Sequence, residues 1–121
     1  MSKKSIEKLI PDAMKVLEDE FSDGVIPSAY NGYISSFGAS VIQSGLLPTL
    51  ALFENTNAHT KESKEYLTYI IARVLTGRED DISLLHYVLK SKKDENLLKT
   101  KIMDIAIAIK LSIRTFELKK D

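Results

Sequence analysis

The sequence predicts an all-α protein, a single compact domain of five or six helices over residues 1–121. Three observations lead there: apolar residues recur at helical spacing along most of the chain, no segment sustains the alternation of a half-buried strand, and glycines, prolines and capping residues fall between the apolar stretches. A chain of 121 residues suits one hydrophobic core, because domains most often hold about 100–150 residues. Its 44% hydrophobic and 28% charged residues belong to an ordinary globular protein rather than a disordered one.

The first helix is expected to start at Pro11, since proline has no N–H to leave unsatisfied in a first turn, and SIEKLI reads as a separate turn ahead of it. Ala13, Val16, Leu17 and Phe21 then share one side until Gly24 stops the helix. Ser28 stands where it can cap a second helix, in which Tyr30, Ile34, Phe37 and Val41 fall on one face. The following run is apolar enough for a single helix, but Gly45 suits the left-handed residue just past a helix end, and Leu46 can fold back onto Val41. Leu47 is biased away from helical angles by the proline after it, so Pro48 is expected to open a short third helix that ends in ENTNAHT. A fourth, from about residue 61 to 75, places Leu67, Ile70, Ile71, Val74 and Leu75 in amphipathic spacing before Gly77. Asp80 or Asp81 can cap a fifth through ISLLHYVLK, and KSKKDEN separates it from a sixth that runs to about Leu118, with Asp94 and Glu95 at its positive end.

Several chemistries are not supported. With no cysteine there is no disulfide, thiolate metal site or cysteine nucleophile. His59 and His86 show no metal-ligand spacing, and His86 reads as a partly buried helix residue. The acids of LEDEFSD lack the ligand pattern of a calcium loop and read as a solvated helix end. Neither a dinucleotide fingerprint nor a phosphate-binding loop is present. No catalytic residue, cofactor or metal is therefore expected. No apolar run approaches the roughly 20 residues that span a bilayer, and MSKKSIEKLIPDAM has no secretory signal pattern, so the expectation is a cytoplasmic protein without a membrane partner.

Net charge is zero, but four lysines face seven acids in residues 1–60 while thirteen basic residues face ten acids in residues 61–121. The sixth helix is the most informative chemical feature. At about 100° per residue, Lys99, Lys110 and Arg114 fall within about 60° of one another, a narrow cationic stripe that also holds Ala106. Leu98, Ile102, Ile105, Ile109, Ile113 and Phe116 lie on one side of it. On the other, Leu97, Ile107, Leu111 and Leu118 form a weaker apolar face, expected to pack on a second internal neighbour or on another subunit. Long cationic side chains often only snorkel to water, yet a row of them can also follow a phosphate backbone without reading sequence. Lys90, Lys92 and Lys93, just before the helix, could extend the track, and Tyr30, Tyr33 and Phe37 could stack bases if they were not core residues.

Two segments carry a family resemblance. Tyr30, then Val41-Ile42 leading to Gly45-Leu46, Leu50-Ala51 and Phe53, resembles the tyrosine, apolar helix, Gly-Leu turn and "TLAF"-like continuation of the small helical subunit of the type III-B CRISPR Cmr effector complex. Ala106-Ile107-Ala108-Ile109, with Ile113-Arg114 and Phe116, is similar to that family's closing helix. The pattern departs at Gly38, at Ser44 and in KLIPDA, which replaces an Arg-rich stretch. The resemblance implies a non-catalytic subunit stacked in several copies along a ribonucleoprotein. Its partners would be other copies, the backbone subunits that hold CRISPR RNA and the large Cas10-type subunit, and it would help to accommodate target RNA. Lys99, Lys110, Arg114, Lys92 and Lys93 are the candidate RNA-binding residues. The residues alone leave two alternatives open: a helical adaptor or regulatory protein with no nucleic-acid role, and a metal-dependent hydrolase built on His86 and nearby acids.

Overall fold

The computed structural model of the protein describes residues 3–55, 60–80, 82–92 and 94–119. Among these, six helices pack around one core: α1 (Lys3–Glu20), α2 (Ala29–Ser44), α3 (Leu46–Phe53), α4 (Lys64–Thr76), α5 (Leu84–Lys90) and α6 (Glu95–Ile113). The fold is all-α, as the sequence predicts. Its only addition among the described residues is a two-stranded parallel pairing of β1 (Val25–Pro27) with β2 (Glu117–Lys119), in which Ile26 stands opposite Leu118. Strands of three residues are too short to show alternation, so periodicity could not reveal them.

α1 is one long helix that runs through Pro11 instead of beginning there. A proline inside a helix costs about 3 kcal/mol through a lost hydrogen bond and a steric clash. Here Pro11 lies on the exposed side, while Leu9, Ala13, Val16 and Leu17 are buried on the other. Each fully buried aliphatic side chain contributes about 1.5–3 kcal/mol, so the burial outweighs the defect. The face they form packs against α6 in the most extensive helix pairing of the molecule.

The break between α2 and α3 falls at Gly45, whose φ of 98° and ψ of 167° belong to a region essentially restricted to glycine, not to the left-handed helical geometry expected. Its N–H donates to the Val41 carbonyl at 3.0 Å and closes α2. Both Val41 and Leu46 enter the core. Contrary to the expectation for a residue before proline, Leu47 is helical: α3 starts at Leu46, and Pro48 sits in the first turn, where its missing N–H leaves no bond unmade. A Cβ added at Gly45 would meet only Pro48 Cδ at 3.7 Å, an ordinary contact. Gly45→Ala should therefore destabilise through backbone strain alone, by about 1–3 kcal/mol in chemical denaturation. A loss below about 0.5 kcal/mol would show that the backbone relaxes without strain.

The remaining boundaries shift for local reasons. Ser28 occupies the N-cap position of α2, but its side chain makes no capping bond. α4 begins at Lys64, and Gly77 ends it in the left-handed conformation that suits its position. Ser83, rather than Asp80, caps α5 by accepting from the His86 N–H at 3.2 Å; Asp81 lies outside the described residues. Asp80 is instead held by Arg78, whose Nε donates to it at 3.0 Å and whose guanidinium lowers its pKa. Glu54, just past α3, ties the same junction by accepting from Ser83 Oγ at 2.6 Å and from the Leu85 N–H at 3.0 Å.

α6 stops at Ile113 instead of continuing to Leu118. The N–H groups of Thr115 and Phe116 turn back to the carbonyls of Ser112 and Ile113, and the Glu117 N–H then reaches the Gly24 carbonyl at 3.2 Å. The chain thus leaves helical geometry to pair with β1.

Candidate nucleic-acid interface

α6 is held from three sides, by α1, α2 and α4. Leu98, Ile102, Ile105, Ile109 and Ile113 are buried, as their spacing predicts, and Phe116 packs against the core from beyond the helix end. The uncovered side carries Lys99, Lys110 and Arg114. Lys110 and Arg114 are exposed and Lys99 is half-buried. None of the three forms an ion pair with another described residue. Lys99 to Arg114 spans about 22 Å at 1.5 Å per residue, so the group offers positive charge at both ends of one helix face.

The stripe is interrupted in the middle. Ala106 is buried, and half-buried Met103 approaches Gly38 of α2, whose added Cβ would lie 3.8 Å from Met103 Cε. Lys92 is exposed in the connection before α6. Lys93 lies outside the described residues. Asp94 caps α6 by accepting from the Asn96 N–H at 2.8 Å, which places an acid at the positive end of the helix.

The second apolar face is left largely uncovered by the described residues. Leu97 is 69% and Leu111 37% exposed, and Ile107 is half-buried. Leu118 alone packs against the core, from β2. Asp104 and Ala108 are the residues on this flank that are buried.

The aromatic candidates are not available to stack bases. Tyr30 and Phe37 are completely buried. The Tyr30 hydroxyl donates to the Lys61 carbonyl at 2.7 Å, and half-buried Tyr33 donates to the Glu62 carbonyl at 2.8 Å. Burial, reinforced by nearby Tyr66, raises the pKa of the Tyr30 phenol, which stays neutral. His86 is exposed on α5 and not partly buried, while His59 lies outside the described residues.

A polar cluster that the sequence reading missed joins the end of α1 to α4. Arg73, only 8% exposed, donates to Glu20 at 2.5 Å and lies 3.6 Å from Asp19. Tyr66 donates to the same Glu20 carboxylate, as does Tyr69 at 3.3 Å. Burial works most strongly against the charge of Arg73, but the hydrogen bond and charge of Glu20, with Tyr69 and Asp19, together outweigh it and raise its pKa. Glu20 is therefore an internal anchor and not part of a solvated helix end. Arg73 beside Ile70, Ile71 and Val74 was the available signal, since a cation within an apolar face needs a partner.

No helix among the described residues is long and apolar enough to cross a membrane. Comparisons with curated proteins and with solved structures gave no match. The family model described as CRISPR-associated protein (Cas_Cmr5) matches residues 6–110, which leaves out only five residues at the start and eleven at the end. That span includes both segments on which the sequence resembles the small Cmr subunit, except for the last residues of the closing helix. The chain belongs to the CRISPR-associated Cas_Cmr5 family.

Proposed function

We infer that this protein is a non-catalytic small subunit of a type III-B CRISPR RNA-guided interference complex. It stacks in several copies along the ribonucleoprotein, against the backbone subunits and the large Cas10-type subunit, and helps to accommodate target RNA. The observation that carries this reading is the family match across residues 6–110. The surface of α6 supports it: Lys110 and Arg114 are exposed, Lys99 is half-buried, and no described carboxylate pairs with any of them. Such cations bind phosphates without reading bases, as a subunit that must accept many target sequences requires. Lys92 extends the track beyond the start of the helix. The exposed apolar Leu97 and Leu111 supply the stacking contacts.

Each copy offers few cations, so affinity arises from several copies acting on one strand. Affinity purification of the tagged protein from its host is expected to recover CRISPR RNA together with the other complex subunits. Recovery of protein partners without RNA would favour an adaptor role and contradict the proposal.

A further inference from the structure

Residues 24–53 contain no charged residue, in a chain of which 28% is charged. They form β1, α2 and α3. α2 buries Tyr30, Ile34, Phe37 and Val41 and leaves Gly32, Ser35, Ser36, Ala39, Ile42 and Gln43 exposed on its outer side, Ile42 at 75%. A helix face turned to water ordinarily carries charge, whereas loss of charge marks the core of protein interfaces. Gly32 points the same way. After proline, glycine is the residue least suited to a helix interior. Yet the φ of Gly32 is not positive, and an added Cβ would meet nothing within 4 Å. No contact among the described residues requires glycine there, so the requirement belongs to something that approaches closely from outside.

We propose that this face of α2 receives the α6 flank of Leu97 and Leu111 from a second copy of the chain, in a head-to-tail contact. The inference rests on the reading of a subunit that stacks in several copies, and it names the two surfaces that meet. Size is complementary: exposed Leu97 and Leu111 are bulky, and the small side chains of α2 let a second helix approach closely. Charge selects the same pairing. The α6 flank lies beside exposed Lys101, Lys110 and Arg114, and α1, α4, α5 and α6 all carry basic residues, whereas α2 carries none. Docking on α2 therefore avoids the like-charge repulsion that two α6 flanks would meet. The area favours an array over an isolated pair. α2 has 16 residues, so a contact along it is about 24 Å long and buries on the order of 1,000 Å² in total, below the roughly 1,200–2,000 Å² of stable complexes. Because the two faces differ, the contact does not close on itself, and each copy can use both.

The chain has no cysteine, so single thiols can be placed at will. Ala39→Cys on α2 and Thr100→Cys on α6 both replace exposed residues. The two purified variants, mixed at millimolar concentration, are treated with a short bis-maleimide. The mixed dimer is expected to exceed either dimer of like variants by about tenfold, equivalent to roughly 1.4 kcal/mol. Gly32→Gln, added to the Ala39→Cys chain, should leave the isolated fold intact, since the space beyond Gly32 is open, and lower the mixed product about tenfold. Leu97→Asp, added to the Thr100→Cys chain, should do the same from the other side. Statistical yields overturn the proposal. A predominant dimer of Ala39→Cys chains overturns it in favour of a symmetric α2 contact, and so does a mixed product undiminished by both blocking changes. Cross-linking uses the protein alone, so its failure beside successful recovery of CRISPR RNA and the other subunits contradicts only this contact. Specific cross-linking without that recovery contradicts only the role in the ribonucleoprotein.

Discussion

Replacing Lys99, Lys110 and Arg114 together by glutamate is expected to weaken target-RNA binding by the assembled complex about 100-fold. Charge-assisted hydrogen bonds contribute about 1.5–3 kcal/mol each, so losing even two of three effective contacts reaches that size. Electrophoretic mobility shift or fluorescence anisotropy with the whole complex measures it. The fold should survive, because Lys110 and Arg114 are exposed and Lys99 is half-buried. Surface changes of this kind usually alter stability by no more than about 0.5 kcal/mol each. Lys110 lies in the last turn of α6, where a cation favours the helix dipole, so its reversal adds a further loss of about 0.3–1 kcal/mol that the isolated protein will report. A variant complex that assembles and binds RNA with unchanged affinity would contradict the role given to this face.

The second large effect concerns the anchor between α1 and α4. Arg73→Ala is expected to destabilise the isolated protein by about 3–5 kcal/mol, because removing one partner of a buried ion pair strands the other. The side chains of Arg73 and Glu20 are 9% and 13% exposed, and Glu20 would keep only the hydroxyls of Tyr66 and Tyr69. In urea, where the slope is about 1–3 kcal/mol per molar, the unfolding midpoint should fall by about 2 M. Arg73→Met removes the charge but keeps the bulk, so pairing it with Glu20→Gln should recover much of the loss. A loss below about 1 kcal/mol for Arg73→Ala would mean that this pair does not hold the two helices.

Helix number and order were legible because apolar spacing reflects burial directly. The burial of Leu98, Ile102, Ile105, Ile109 and Ile113 in α6 followed from period alone, and Gly45 and Gly77 marked real breaks through their positive φ. The misreadings occurred where tertiary contacts outweigh local preference. Pro11 reads as a helix start, yet the face shared by Leu9 and Ala13 carries α1 through it. Leu118 reads as helical by spacing, yet pairing with Ile26 draws it into a strand.

The candidate interface was legible only in part. The angular alignment of Lys99, Lys110 and Arg114 follows from helix geometry, but the interruption at Ala106 and Met103 depends on how closely α2 approaches. The uncovered apolar flank shows the same limit: Leu97 and Leu111 have helical spacing, and only packing reveals that no neighbour among the described residues covers them. Asp104 gave no signal at all. Its burial is set by the approach of α1, a long-range contact with no local signature.

The salt dependence of target-RNA binding tests the electrostatic claim most directly. Plotting the logarithm of the association constant against that of salt concentration for the complex gives a slope set by the number of phosphates neutralised, about 0.7 per contact on a single strand. The Lys99, Lys110 and Arg114 charge-reversed complex is expected to show a slope shallower by about 2 for each engaged copy. Slopes that coincide with and without these charges would mean that α6 does not face the RNA.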